Sequence, residues 1–116
     1  MNARTLLIFW FLAVFAAMVA VTTWASLDLD VLTAGRELWA VPWGRATLFD
    51  AYFAFVAVWL WVAHRESSWT ARLAWLAAFF LLGNLAISAY FLLALRRASA
   101  STPLASLFGP RPGAAR

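Results

Sequence analysis

The chain has 116 residues, of which 66% are hydrophobic and only 12% are charged. A soluble domain of this length needs a more polar surface, so the composition excludes an ordinary soluble domain and favours an integral membrane protein. The net charge is +4, but the arginines are spread along the chain beside apolar runs, which predicts membrane topology rather than nucleic-acid binding. The absence of cysteine excludes disulfides and thiolate metal sites. We expect no cofactor.

Three apolar runs are long enough to cross a bilayer as helices. They cover residues 6–24, 47–63 and 73–95, or about 28, 25 and 34 Å at helical rise. We therefore predict an all-α integral membrane protein whose three transmembrane helices pack as a small antiparallel bundle within residues 1–97. The first run has an alternative interpretation as a cleaved signal peptide. It exceeds the usual apolar region of such peptides and lacks a good cleavage site, so we expect it to be retained.

The connecting segments are polar. Residues 25–46 mix charges with Leu and Trp side chains before Pro42, as in a short interfacial segment. The second connection, HRESSWTAR, is a tight turn in which Ser67 or Ser68 can cap the next helix. The tail, residues 98–116, is rich in Ser, Pro, Gly and Ala and is predicted to be disordered.

The orientation follows from the arginines. Three spans place the first connection and the tail on one side, where arginines are more numerous and where the Arg96–Arg97 pair closes the third run. The positive-inside rule then favours a cytoplasmic C-terminus, although the short basic start at Arg4 favours a cytoplasmic N-terminus. We expect a multi-pass protein of a bacterial inner (plasma) membrane.

Several polar residues fall inside the predicted spans. With three continuous helices, Asp50 lies level with Tyr90 and near the threonines that close the first span, and Asn84 lies near the membrane midpoint. An unpaired amide there is costly, so Asn84 is expected to face the other helices. The sequence therefore predicts one intramembrane polar cluster, formed by Thr22, Thr23, Asp50, Asn84, Ser88 and Tyr90.

Asp50 allows two interpretations. It can anchor the start of the second span, where the helix dipole and Arg45 favour a carboxylate. It can also belong to a ligand, proton or ion site, because ionisable residues inside membranes are usually functional. Other interfacial residues are Trp43, His64 and Glu66. A lone histidine does not make a metal site, so none is predicted.

The runs PWGRATLFDAYFAFVAVWLWVAHRESSW and LLGNLAISAYFLLAL resemble a family of small multi-pass membrane proteins of unknown function from bacteria and plants. The resemblance rests on a Pro-Trp pair, an Ala-Thr-Leu-x-Asp element, a polar turn with Glu-Ser and Trp, and a Gly-Asn pair. The matching residues are Pro42, Trp43, Ala46, Thr47, Leu48, Asp50, Glu66, Ser67, Trp69, Gly83 and Asn84. The resemblance implies that Asp50 and Asn84 belong to the family pattern, and it implies no activity.

Three functions compete. The first is a non-enzymatic structural or interaction subunit that packs as a homo-oligomer or against a larger membrane partner. The second is an oligomeric transporter or channel subunit that uses Asp50 and Asn84. The third is a membrane enzyme acting on lipid headgroups, which is disfavoured because three continuous spans put His64 and Glu66 on the membrane side opposite Asp50. The first is preferred. The bilayer is the expected partner, and nucleic acid is not.

Overall fold

The computed structural model describes residues 2–98 and 103–109, with the side chain of Phe108 excluded. Within these ranges the chain forms five α-helices, one short 3-10 helix and no strand. The α-helices are α1, Ala3–Asp28; α2, Val31–Ala40; α3, Pro42–Arg65; α4, Trp69–Leu82; and α5, Asn84–Arg97; the 3-10 helix is Leu104–Phe108. The all-α prediction is confirmed, whereas the predicted count of three helices is wrong.

Side-chain caps begin three of the helices. The first backbone N–H groups of a helix lack intrahelical partners, and a short polar side chain before the helix satisfies them. Asn2 accepts from the Thr5 N–H at 2.8 Å, Asp30 from the Thr33 N–H at 2.9 Å, and Ser68 from the Ala71 N–H at 3.3 Å. Of the two candidate serines, Ser67 and Ser68, it is therefore Ser68 that caps α4.

Two of the predicted spans lie within long helices. Residues 6–24 fall inside α1 and residues 47–63 inside α3, which begins with Pro42 in the first turn, where a missing N–H costs nothing. At 26 and 24 residues, these helices are about 39 and 36 Å long. Both are long and apolar enough to span a membrane.

The third predicted span is not one helix. The chain reverses at Gly83, whose φ of +57° and ψ of −126° interrupt the helix after Leu82. Residues with a side chain rarely adopt this positive φ, and glycine adopts it readily. The run 73–95 therefore forms α4 and α5, which have 14 residues each and are about 21 Å long.

Ring contacts show that α4 and α5 form a hairpin, here called the α4–α5 hairpin. Trp75 and Tyr90 are fifteen positions apart in the sequence, yet their ring centroids lie 4.9 Å apart. A continuous helix would separate them by about 22 Å. A Cβ at Gly83 would lie 3.0 Å from the Phe55 ring, so the tip of the hairpin reaches the middle of α3. Both ends of the hairpin lie near the C-terminal end of α3.

α1 packs along α5 in the opposite direction. Phe11 stacks on Phe91 with centroids 4.3 Å apart, and Phe91 stacks on Trp61 at 4.7 Å. Trp61 and Tyr90 then meet edge to face at 5.4 Å. This row of aromatic rings joins α1, α5 and α3 and continues through Tyr90 to Trp75 of α4. The N-terminus of α1 thus lies beside the C-terminus of α5.

The buried core extends from the same end of the molecule to the middle of α3. One cluster centres on Val62, Phe79 and Tyr90, and a second contains Leu95 and Leu107. Residues 103–109, here called the C-terminal strap, therefore pack on the helices, although they fall in the tail that the sequence predicted to be disordered. The remaining tail residues, 99–102 and 110–116, lie outside the described residues.

Candidate functional site

The hairpin separates the residues of the predicted polar cluster. Tyr90 lies level with Trp61, near the C-terminal end of α3. Asp50 is eleven positions before Trp61 in α3, or about 16 Å along the helix axis. The prediction that Tyr90 lies level with Asp50 assumed a continuous third span, and the reversal at Gly83 carries Tyr90 to the opposite end of α3.

The other members of that cluster are mostly exposed. Thr22, Thr23, Asp50 and Asn84 all have exposed side chains, and Asn84 is the first residue of α5 at the tip of the hairpin. Ser88 is fully buried, but its hydroxyl donates within its own helix, to the carbonyl of Asn84 at 2.7 Å. The structure brings none of these side chains together by a hydrogen bond among the described residues.

Asp50 lies deeper in its helix than the sequence suggested. α3 begins at Pro42 rather than at residue 47, so Asp50 is eight positions, or about 12 Å, beyond the helix start. The unpaired N–H groups of the first turn are out of its reach. Within the part of the chain that the structure describes, Asp50 has no hydrogen-bond or ion-pair partner. Arg45 and Trp43 are exposed in the first turn.

A buried polar cluster exists instead at the C-terminal end of α3. Arg65 and Glu66 are only 2% and 5% exposed. The Tyr90 hydroxyl donates to Glu66 Oε2 at 3.0 Å, and this bond ties the end of α3 to α5. His64, by contrast, is exposed. Among the described residues, Tyr90 and Glu66 are the two predicted site residues whose side chains are hydrogen-bonded to each other, although they came from different predicted groups.

The C-terminal strap completes this cluster. Arg65 Nη1 donates to the carbonyl oxygen of Leu107 at 2.7 Å and to that of Gly109 at 3.4 Å. The indole N–H of Trp61 donates to the same Leu107 carbonyl at 2.9 Å. The Arg65 guanidinium carbon lies 5.4 Å from the centre of the Trp61 ring. Two donors from successive turns of α3 therefore converge on one oxygen atom.

Two further arginines bind helix C-termini at this end of the molecule. Arg4 Nη2 donates to the carbonyls of Leu95 and Ala98 at 2.8 and 2.9 Å, where α5 ends. Arg72 Nε donates to the carbonyls of Ala63 and Glu66, both at 2.9 Å, where α3 ends. Cations are favourable at helix C-termini because unpaired carbonyls and the helix dipole make them negative. These arginines hold the helix ends together.

Sequence reasoning missed Arg65 and the arginine caps. One signal was present, because Trp61 and Arg65 are four positions apart and share a helix face. Their common partner is a main-chain carbonyl 42 or more residues away, and a carbonyl carries no residue-type signal. The sequence could therefore suggest the donors and could not suggest the acceptor.

The chemistry of the described residues is limited. They contain no group of three or more His, Asp or Glu side chains that could hold a metal ion. Asp30, which caps α2, is exposed, and its pKa is lowered because the Thr33 hydroxyl and backbone N–H donate to its carboxylate. This shift belongs to a helix cap and not to a reactive group.

Comparison with known proteins gives a family without an assigned activity. No curated protein and no solved structure matches the chain. A family model described as "Protein of unknown function (DUF1475)" matches residues 4–108, which include all five α-helices except the first residue of α1, and the whole 3-10 helix. The match covers most of the chain, so the protein belongs to the DUF1475 family.

Proposed function

We propose that the protein is a multi-pass membrane protein that works as a non-enzymatic interaction subunit. In this proposal α1 and α3 cross the bilayer, and the α4–α5 hairpin enters it from the side where α3 ends without crossing. Helices of about 21 Å are shorter than a hydrocarbon core of about 30 Å. The tip at Phe55 would lie near the membrane midpoint.

The burial of α1 and α3 supports the membrane placement. A helix of this length in a soluble protein would bury an apolar face in the core. α1 has no buried residue, and α3 has only Gly44, Val62 and Arg65. Large apolar side chains remain exposed along both helices, including Trp10, Trp24 and Phe53. Lipid is the solvent that such a surface fits.

The contacts of α1 support its retention as a spanning helix rather than its removal as a signal peptide. Arg4 binds the end of α5, and Phe11 stacks on Phe91. These contacts join the start and the middle of α1 to the rest of the fold. Cleavage would remove both.

The hairpin also changes the expected orientation. Arg4, Arg65, Arg72, Arg96 and Arg97 now lie at one end of the molecule. Arg36 and Arg45 lie at the other. The positive-inside rule assigns the first end to the cytoplasm. Both the start of α1 and the end of α5 would then be cytoplasmic, which removes the conflict between the Arg4 and Arg96–Arg97 signals.

Asp50 carries the proposal of an interaction subunit. Its exposed carboxylate lies about 12 Å into α3, and a charged side chain in hydrocarbon costs about 2.5–3.5 kcal/mol on insertion scales. A second copy or a larger membrane partner that covers this face would remove the exposure to lipid. The exposed Thr22 and Thr23 lie in the corresponding part of α1, beyond the tip of the hairpin.

Replacing Asp50 by leucine tests this function. We expect D50L to insert normally but to dissociate from its partner, because the monomer would no longer expose a charge to lipid. The particle purified in mild detergent should then become smaller. Particle mass by native mass spectrometry gives the result. Asp28→Leu is the matched control, since Asp28 is exposed at the end of α1. A wild-type protein that is strictly monomeric in bilayer nanodiscs would refute a second copy as the partner, and one that also migrates as a monomer when extracted directly from its own membrane would refute the proposal.

One observation favours the second candidate, an oligomeric transporter or channel subunit. α5 begins at Asn84 without a side-chain cap, and unpaired backbone at membrane depth is tolerated where protein covers it or where it lines a water-filled cavity. Ion or proton flux into liposomes that Asp50→Asn abolishes would establish this candidate instead.

A further inference from the structure

We propose that Arg65 and Trp61 form a binding site for a phosphate oxyanion, and that the C-terminal strap occupies this site until an anionic phospholipid headgroup displaces it. The inference rests on the proposed membrane orientation and adds a ligand to the cytoplasmic end of the molecule. It concerns a site that is separate from the exposed Asp50 face.

The donors of the site belong to α3 and not to the strap. Trp61 and Arg65 are four positions apart on one face of a helix, and both point their N–H groups at the Leu107 carbonyl. Only 2% of the Arg65 surface is exposed, and among the described residues its Nε has no hydrogen-bond partner. A guanidinium presents its N–H donors in a planar fork that matches the oxygens of a phosphate. Within the described part of the chain, Arg65 therefore has an unused Nε donor that a phosphate oxygen could accept from.

The strap gives Arg65 only neutral acceptors. The carbonyls of Leu107 and Gly109 are dipoles, whereas a phosphate oxygen carries negative charge and can pair with the guanidinium through two parallel N–H···O bonds. The strap contains a 3-10 helix of five residues and is anchored by the buried Leu107 and the half-buried Leu104. Glu66, the residue after Arg65, accepts from the Tyr90 hydroxyl with its Oε2. A phosphate group could therefore replace the strap.

The location favours a lipid as the source of the phosphate. Arg4, Arg72, Arg96 and Arg97 lie at the same end of the molecule as Arg65. Clusters of basic residues at the cytoplasmic face attract anionic lipids, which are enriched in that leaflet. Tryptophan near the headgroups is also favourable, because its ring is apolar and its N–H is polar. A phosphatidylglycerol headgroup has the required charge.

Displacement of the strap is measured with a label on it. Ala105 is exposed, and the chain has no cysteine, so Ala105→Cys takes a single spin label. We expect an immobile label in nanodiscs of phosphatidylcholine and a mobile label in nanodiscs of equal phosphatidylcholine and phosphatidylglycerol. A label that is equally immobile in both would overturn the proposal. If inorganic phosphate added to phosphatidylcholine nanodiscs releases the strap equally well, the site stands and its source is free phosphate.

Variants then separate binding from mere loosening of the strap. Leu107→Ser weakens the anchor only, so it should raise the number of phosphatidylglycerol molecules retained in native mass spectrometry. Trp61→Phe also frees the strap but removes a donor to the phosphate, so it should lower retention about tenfold. Trp59→Phe is the matched control, because that indole donates to Arg72 instead. Trp61→Phe that retains as much lipid as Trp59→Phe would contradict the site.

Arg65→Gln should abolish retention altogether. The folding of this variant is checked separately with a spin label in α2, for example on Thr33→Cys. The label should be as immobile in the variant as in the protein with Arg65. A failure of lipid retention in a protein whose topology is as proposed refutes this inference alone. A wrong topology is detected independently, by the accessibility of single cysteines.

Discussion

Gly83 is the residue that determines the path of the chain. It is the one described residue with a positive φ, and it allows α4 to reverse into α5. The sequence marked Gly83 and Asn84 as part of a family pattern but did not predict the reversal. The hydropathy of residues 73–95 predicts one continuous helix, because both helices of the hairpin are apolar and the break occupies a single residue.

We predict that Gly83→Ala destabilises the hairpin. Alanine at this position would have to adopt a positive φ, which it rarely does, and its Cβ would lie 3.0 Å from the Phe55 ring. Such strained positions cost about 1–3 kcal/mol, which should appear as a lower free energy of unfolding in detergent.

Gly35→Ala is the matched control for that substitution. Gly35 lies inside α2, and a Cβ there meets no atom within 4 Å. Alanine in a helix interior is favourable by about 0.5–1 kcal/mol relative to glycine. The two glycine-to-alanine changes should therefore have opposite signs. A Gly83→Ala protein as stable as the wild type would show that the reversal does not depend on glycine.

At the scale of elements, the long helices and the short hairpin follow different rules. α1 and α3 were predictable because each contains a long apolar run between polar residues, although α3 begins at Pro42, five residues before the predicted span. The pairing of elements was not predictable, because α1 contacts α5 through rings and carbonyl groups far away in the sequence. The cluster of Glu66 with Tyr90 depends on that pairing, which is why the sequence placed these residues in separate groups.

We predict that Phe91 holds α1 against the hairpin. Its ring stacks on Phe11 at 4.3 Å and on Trp61 at 4.7 Å, and an aromatic pair contributes about 0.5–1.5 kcal/mol beyond area burial. Phe91→Leu removes both stacks with little loss of apolar volume. The stability to unfolding should fall by about 1–3 kcal/mol.

Phe9→Leu serves as the control for Phe91→Leu. Phe9 is 59% exposed on α1, so its loss should change the free energy of unfolding by less than about 0.5 kcal/mol. Equal effects of the two substitutions would mean that the stacked rings do not hold α1.

At the scale of the whole molecule, the two ends differ in polarity and packing. The end where α1 begins and α3 and α5 end contains the cluster around Leu95 and Leu107, the arginine caps and the strap. The other buried cluster extends from this end to the middle of α3. The opposite end contains α2 and the exposed parts of α1 and α3. The turn from α2 into α3 is tight. Gly44 lies so close to Leu38 that a Cβ on Gly44 would overlap the Leu38 carbonyl group. In the proposed topology the first end is cytoplasmic, and the exposed Asp50 faces an assembly partner towards the second.

Single-cysteine labelling tests this topology most directly, because the chain has no cysteine of its own. Cysteines are introduced at Ser67 in the second connection, Ala105 in the strap and Thr33 in α2, and a membrane-impermeant maleimide is added to sealed vesicles of known orientation. The account predicts that positions 67 and 105 react from the cytoplasmic side and that position 33 reacts only from the other. Reaction of positions 105 and 33 from the same side, with position 67 opposite, would contradict the hairpin and support three continuous spans.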